Sequence, residues 1–148
     1  MLEKARKGNI EFLLLDRKVF FETNHLVNQL NDKRIDLIVL AGFLWMIPSY
    51  LIKDFQNKII NIHPALLPKF GGKGMYGRKV HEAVIENKEQ ESGITIHYVD
   101  EHYDTGRIIS QKKCVVESKD TAEIVAGKVQ ALEHEFYPKV IEQLLTDL

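Results

Sequence analysis

Asn61 and His63 stand two residues apart at the end of the apolar run KIINI, and Pro64 follows at once. Along a strand, side chains alternate faces, so these two polar groups share one face while Ile60 and Ile62 take the other. Pro64 biases His63 toward extended backbone and stops the strand, leaving the imidazole at the carboxyl edge of a sheet, where open parallel sheets bind ligands. Two readings stand: a boundary histidine satisfied by its surroundings, with Asn61 opening turn chemistry, or a strand end that presents both groups to a cleft.

A second constellation lies in GITIHYVDEHYDTGRII, residues 93–109, where a strand runs into an acidic loop and a DTG turn. Asp104 follows His63 at a distance that allows the chain to pass through a helix and return beside it. A carboxylate beside a histidine raises its pKa and favours the imidazolium, which can donate a proton or stabilise a developing oxyanion. Asn61 adds a neutral donor to the same oxygen. Asn61, His63 and Asp104 thus make a plausible acyl-transfer site without a covalent nucleophile; the competing reading of Asp104 is a residue that opens the turn. His97, Asp100 and His102 invite a metal reading, but His97 falls in mid-strand and no further ligands have recognisable spacing, so no metal is expected.

GGKGMYG, residues 71–77, is glycine-dense yet has neither phosphate-loop nor dinucleotide-binding order. It is a plain connection or a flap over the site formed by the preceding HPALLPKF. GFLWMIP, residues 42–48, packs in the core or forms an apolar wall for a planar ligand.

The elements that must position these groups follow from hydrophobic pattern. Segments 10–15, 36–41, 58–62 and 94–99 are short, rich in Ile, Leu and Val, and predict strands, the first two buried on both faces. Helical character covers 21–33, with Leu26, Val27 and Leu30 on one face, and 77–88, with Val80, Val84 and Ile85. Near the end, Asp120 and Glu123 suggest a capping box, Val125, Val129, Leu132, Phe136, Val140 and Leu144 follow at helical spacing, and Pro138 should kink or restart the helix. Strands alternating with helices predict an α/β fold of three layers with a mostly parallel sheet, as one domain over 1–148. Met1 to Lys7 has the character of a helix tail stopped by Gly8 and Asn9, so the domain is expected to be N-terminally incomplete.

The formal charge of −1 and absence of a basic block argue against nucleic acid as partner. Cys114 is the sole cysteine, which leaves no internal disulfide; its apolar setting suggests packing. No apolar run reaches bilayer length and no signal-peptide core opens the chain, so no membrane is expected and the location expected is cytoplasmic.

Taken together, LIVLAGF, NIHPALLPKF, GITIHYVDEHYDTGRII and QALEHEFYP resemble the folate-dependent formyltransferases, with a Rossmann-like fold. The last segment is similar to the phosphoribosylglycinamide formyltransferase branch. That resemblance implies transfer of a formyl group from 10-formyltetrahydrofolate, as cosubstrate, to the amine of glycinamide ribonucleotide in purine biosynthesis. It implies that Asn61 binds the formyl oxygen, that His63 stabilises the oxyanion and donates a proton, and that Asp104 raises the His63 pKa. It places Leu44, Trp45, Met46 and Ile47 along the folate pocket and Gln130, Ala131, Leu132 and Glu133 against the ribonucleotide. Many relatives carry a basic residue where Trp45 stands. The family's opening strand and Gly/Ser-rich phosphate loop have no counterpart here, which implies weak ribonucleotide binding by this chain alone and exposed apolar edges able to self-associate. A formyltetrahydrofolate deformylase, or a noncatalytic folate-binding fragment, are the alternatives.

Overall fold

The strand that carries Asn61 and His63 is fixed by apolar packing on both faces. In the computed structural model, which describes residues 2–147, the elements run α1 (Leu2–Lys7), α2 (Arg17–Glu22), α3 (His25–Asp32), β1 (Ile38–Leu40), α4 (Ser49–Asp54), β2 (Ile59–His63), α5 (Arg78–Glu86), β3 (Glu91–Tyr98), β4 (Ile108–Val115) and α6 (Ala122–Thr146). Ile60 and Ile62 of β2 join Ile94, Ile96, Val84, Val125, Val129 and Tyr137 in one core beneath α5 and α6. Ile59 joins Phe20, Leu26, Val27, Ile47, Leu51 and Phe55 in a second core under α2, α3 and α4. Helices therefore cover both faces of the sheet, which gives the three layers expected of an α/β domain.

The sheet is mixed rather than mostly parallel. Strand order is β1-β2-β3-β4, with β1 and β2 parallel but β2–β3 and β3–β4 antiparallel. The expectation of parallel strands rested on strand and helix alternation, yet α5 returns the chain so that β3 enters beside β2 in the opposite direction. Residues 10–15, expected as a buried strand, are instead an exposed segment without strand pairing, Leu14 being 72% exposed. β1 is also not buried on both faces: it lies at the sheet edge with Val39 exposed.

Local signals explain other boundaries. The helix expected over 21–33 is split, because Thr23 adopts extended backbone; its hydroxyl donates to the Val19 carbonyl at 3.0 Å and accepts from the His25 N–H at 3.4 Å. Thr121, one residue beyond the expected Asp120, caps α6 by accepting from the Ile124 N–H. Asp120 instead accepts from the Glu117 N–H and from Lys128 Nζ. α6 continues through Pro138 without restarting, and Leu132, Phe136, Val140 and Leu144 pack on the first core with half-buried Cys114. α1 ends where Gly8 N–H returns to the Lys4 carbonyl and Asn9 takes φ 52°, as the Gly-Asn stop predicts. No described helix is long and apolar enough to cross a membrane.

Candidate active site

β2 delivers Asn61 and His63 to the same face, opposite the Ile60 and Ile62 side chains of the first core. The antiparallel register then sets His97 against Asn61 and Thr95 against His63, so four polar side chains share that face. Thr95 is fully buried and serves the loop after β2: its hydroxyl donates to the Ala65 carbonyl at 2.7 Å and accepts from the Leu67 N–H at 3.0 Å. The chain reaches Asp104 through the turn after β3. Gly106 is needed there because a Cβ would lie 1.8 Å from the Tyr98 carbonyl oxygen.

The three expected groups come together. His63 Nδ1 lies 3.5 Å from Asp104 Oδ2, and these side chains are only 5% and 11% exposed. His63 Nε2–H donates to the Phe70 carbonyl at 2.7 Å, and the Gly72 N–H donates to Asp104 Oδ2 at 2.9 Å. Asn61 Nδ2 donates to His97 Nε2 at 3.3 Å while His97 Nδ1–H donates to the Tyr98 carbonyl at 2.8 Å. His97 Nε2 also stands 3.6 Å from Asp104 Oδ1, so the carboxylate sits between two imidazoles.

Asp104 lifts the His63 pKa as expected, but it is not the largest influence on it. Burial pushes the His63 pKa down and outweighs the lift from Asp104 and the Phe70 carbonyl; the charge His97 can carry lowers it further. In the cleft as it stands His63 is therefore held below its ordinary 6.5 rather than above it. Burial pushes the Asp104 carboxyl up, but His97, the Gly72 N–H and the charge on His63 outweigh that and keep it below the usual carboxylate range.

These groups open on a cleft of about 1180 Å³. Leu44, Trp45, Met46 and Ile47 supply apolar lining, and Met75 and Tyr76 of the glycine-rich segment line it too. Trp45 is held by Phe20, Phe21 and Phe43 at ring separations of 5.5–6.1 Å, with the Arg17 guanidinium 5.8 Å over its ring. From α6, Gln130 and Glu133 line the cleft. Ala131 and Leu132 do not: a helix turns about 100° per residue, which leaves Ala131 exposed and packs Leu132 on the first core. Burial raises the Glu133 pKa, partly offset by His134.

Sequence reasoning missed His97 and His81 as neighbours of His63. His81 lines the cleft from α5, is 7% exposed, and has its pKa lowered by burial and then by the charge of His63. Parity within GITIHYV could have flagged His97, but only the register shows which residue it faces. Asp100 is engaged locally, accepting from the His102 N–H and the Thr105 hydroxyl. Among the described residues no group of three or more His, Cys, Asp or Glu stands ready to hold a metal ion.

Residues 2–141 match the family described as Formyl transferase. A chloroplastic phosphoribosylglycinamide formyltransferase of Vigna unguiculata is 53% identical over 119 residues, covering 80% of this chain and 38% of that protein. The phosphoribosylglycinamide formyltransferase of Bacillus subtilis is 42% identical over 130 residues, covering 88% of this chain and 64% of that protein. The chain thus spans less than two thirds of the length of these relatives. The crystal structure of phosphoribosylglycinamide formyltransferase from Bacillus halodurans superposes with a TM-score of 0.85 at 37% identity, covering 97% of this chain and 74% of that one. With its matched span containing β2, the DTG turn and most of α6, the chain belongs to the formyl transferase family.

Proposed function

We propose that this chain carries the formyl-transfer centre of a phosphoribosylglycinamide formyltransferase, moving a formyl group from 10-formyltetrahydrofolate to the primary amine of glycinamide ribonucleotide. The observation that carries this reading is the buried His63–Asp104 pair at 3.5 Å, opening beside Asn61 onto the cleft. The names of the relatives support formyl transfer and the choice of acceptor.

The folate cosubstrate supplies the activated formyl group. Its fit is supported by the apolar wall Leu44–Ile47, which suits a planar ring system, and by polar groups confined to the β2 edge. Asn61 offers its amide N–H to the formyl oxygen; its present bond to His97, at 3.3 Å, is long and exchangeable. His63 carries the proton, with Nδ1 facing the carboxylate that stabilises its charged form. As negative charge grows on the oxygen, His63 gains basicity and takes up the proton that the attacking amine loses; the imidazolium so formed stabilises the oxyanion and returns the proton to the departing folate nitrogen. Gln130 and Glu133 meet the ribonucleotide, and the raised Glu133 pKa suits a carboxyl close to an amine that must lose a proton. No step calls for a metal.

We place the reaction in the cytoplasm, as one-carbon metabolism without a membrane partner; that nucleic acid is not a partner is supported by the net charge of −1 and the lack of a basic block. Self-association is supported by the exposed apolar run Ile10–Leu15 and the sheet-edge position of β1. The test is formyl release from 10-formyltetrahydrofolate with and without glycinamide ribonucleotide. Transfer that requires the acceptor is expected; release to water at the same rate without it would make the protein a deformylase, and no release at all would leave it a noncatalytic fragment.

A further inference from the structure

The loop after β2 touches both members of the buried pair. Phe70 gives its carbonyl to His63 Nε2–H, and two residues on, Gly72 gives its N–H to Asp104 Oδ2. The loop is itself anchored, through Thr95 at Ala65 and Leu67 and through Gln111 Nε2, which donates to the Leu67 carbonyl at 2.9 Å. Phe70 takes φ 55°, a left-handed conformation that is uncommon for a bulky residue and persists only where the surroundings over-determine it. Its ring packs against the first core, and Gly71 lies close under the pair, where a Cβ would sit 2.5 Å from Leu67 Cδ2, which would have to shift, and 3.3 Å from Asp104 Cβ.

We propose that Phe70–Gly72 is a positioning element: the Phe70 carbonyl holds the proton of neutral His63 on Nε2, and the Gly72 N–H aims Asp104 so that Nδ1 is the nitrogen that gains and loses the catalytic proton. An imidazole's second nitrogen is set by the hydrogen bond the first one makes, and here the backbone of a single short loop sets both the ring and its carboxylate partner. The same loop continues into the glycine-rich segment, where Gly72, Gly74 and Gly77 all have positive φ, so displacement of this strap withdraws both bonds together. The titratable groups facing His63 are Asp104 from the turn after β3, His97 from β3 and His81 from α5. Of the contacts named, Asp104 and the Phe70 carbonyl favour the charged ring, so losing the carbonyl lowers the pH at which His63 takes up its proton.

The purpose assigned to the strap rests on the function proposed above, but its geometry is read independently, by long-range proton–nitrogen NMR of the histidine rings in the intact chain. Neutral His63 is expected with its proton on Nε2. Phe70→Gly, which relaxes the left-handed residue and frees the carbonyl, is expected to move the tautomer ratio toward Nδ1–H by roughly fivefold, the worth of one hydrogen bond, and to lower the titration midpoint. Phe70→Asn, which tolerates the same φ, should keep the wild-type ratio. His97, held through Nδ1–H to the Tyr98 carbonyl, is the internal control and should not change. A wild-type His63 protonated on Nδ1 when neutral would overturn the proposal without any variant. So would a folded Phe70→Gly protein whose His63 ratio and midpoint equal wild type, even if formyl transfer is lost. Absent transfer in the wild-type chain would sink the proposed function alone.

Discussion

Asp104→Asn keeps the side-chain shape and an acceptor for the Gly72 N–H but removes the charge between His63 and His97. Asp104 Oδ2 is 3.5 Å from His63 Nδ1, in a setting almost closed to water. Two unit charges at that separation interact by about 5 kcal/mol at an effective dielectric constant of about 20, which sets a ceiling of roughly three and a half pKa units. Carboxylates in such contact generally move a partner by about one to three units. Burial already holds His63 below 6.5, so loss of Asp104 carries it lower still, and each further unit cuts the charged fraction at neutral pH about tenfold. The assay is an NMR titration of the His63 ring beside formyl-transfer rates across pH. We expect the His63 midpoint to fall by at least about one unit and transfer to fall roughly tenfold or more. A folded Asp104→Asn protein whose His63 titrates at the wild-type pH or above would refute the pairing and return Asp104 to the role of a turn residue.

Thr95→Val replaces a fully buried hydroxyl by a methyl group and strands the Ala65 carbonyl and the Leu67 N–H. At about 1–3 kcal/mol for each orphaned group, a loss of roughly 2–5 kcal/mol is expected in urea unfolding, with Thr95→Ser close to wild type; a loss below about 0.5 kcal/mol would contradict the anchoring role. Acid should destabilise the fold from a mild pH onward. His63 and His81 both have folded pKa values below the ordinary 6.5, so the unfolded chain binds more protons, and stability that is complete above pH 6.5 drains away as pH falls through the window beneath it. Asp104, lowered from 3.8, adds to the loss only in stronger acid. Each histidine can contribute a slope of up to about 1.4 kcal/mol per pH unit, so melting temperatures measured at pH 7.5 and 5.5 should differ clearly, and equal values would show that the two imidazoles are not buried as neutral groups.

What could be read ahead of the structure was whatever depends on neighbours in the chain. Alternation in KIINIH placed Asn61 and His63 on one face, Pro64 marked the strand end, and helical spacing from Val125 to Leu144 marked the buried stripe of α6. Pairing between strands was not legible, because it depends on direction and register. The mixed sheet and the position of His97 opposite Asn61 both follow from β3 running against β2. The Leu-rich run at 10–15 has the composition of a strand, but composition supplies no partner for its backbone, and without a ladder it lies exposed.

Solvent exclusion around His63 was the least legible quantity, and it changed the chemistry most. Proximity to Asp104 could be argued from loop lengths, and proximity alone predicts a raised pKa. The ring is instead largely buried under Phe70 and the loop that Thr95 anchors, with one side on the cleft, and burial outweighs the carboxylate. A buried neutral imidazole beside a fixed carboxylate is a base that charges as negative charge develops next to it, whereas an exposed imidazolium would be already hydrated and screened. The same packing that makes the group useful for transfer contributes, with the burial of His81, to the sensitivity of the fold to acid, so the melting-temperature experiment and the transfer profile should share the His63 titration.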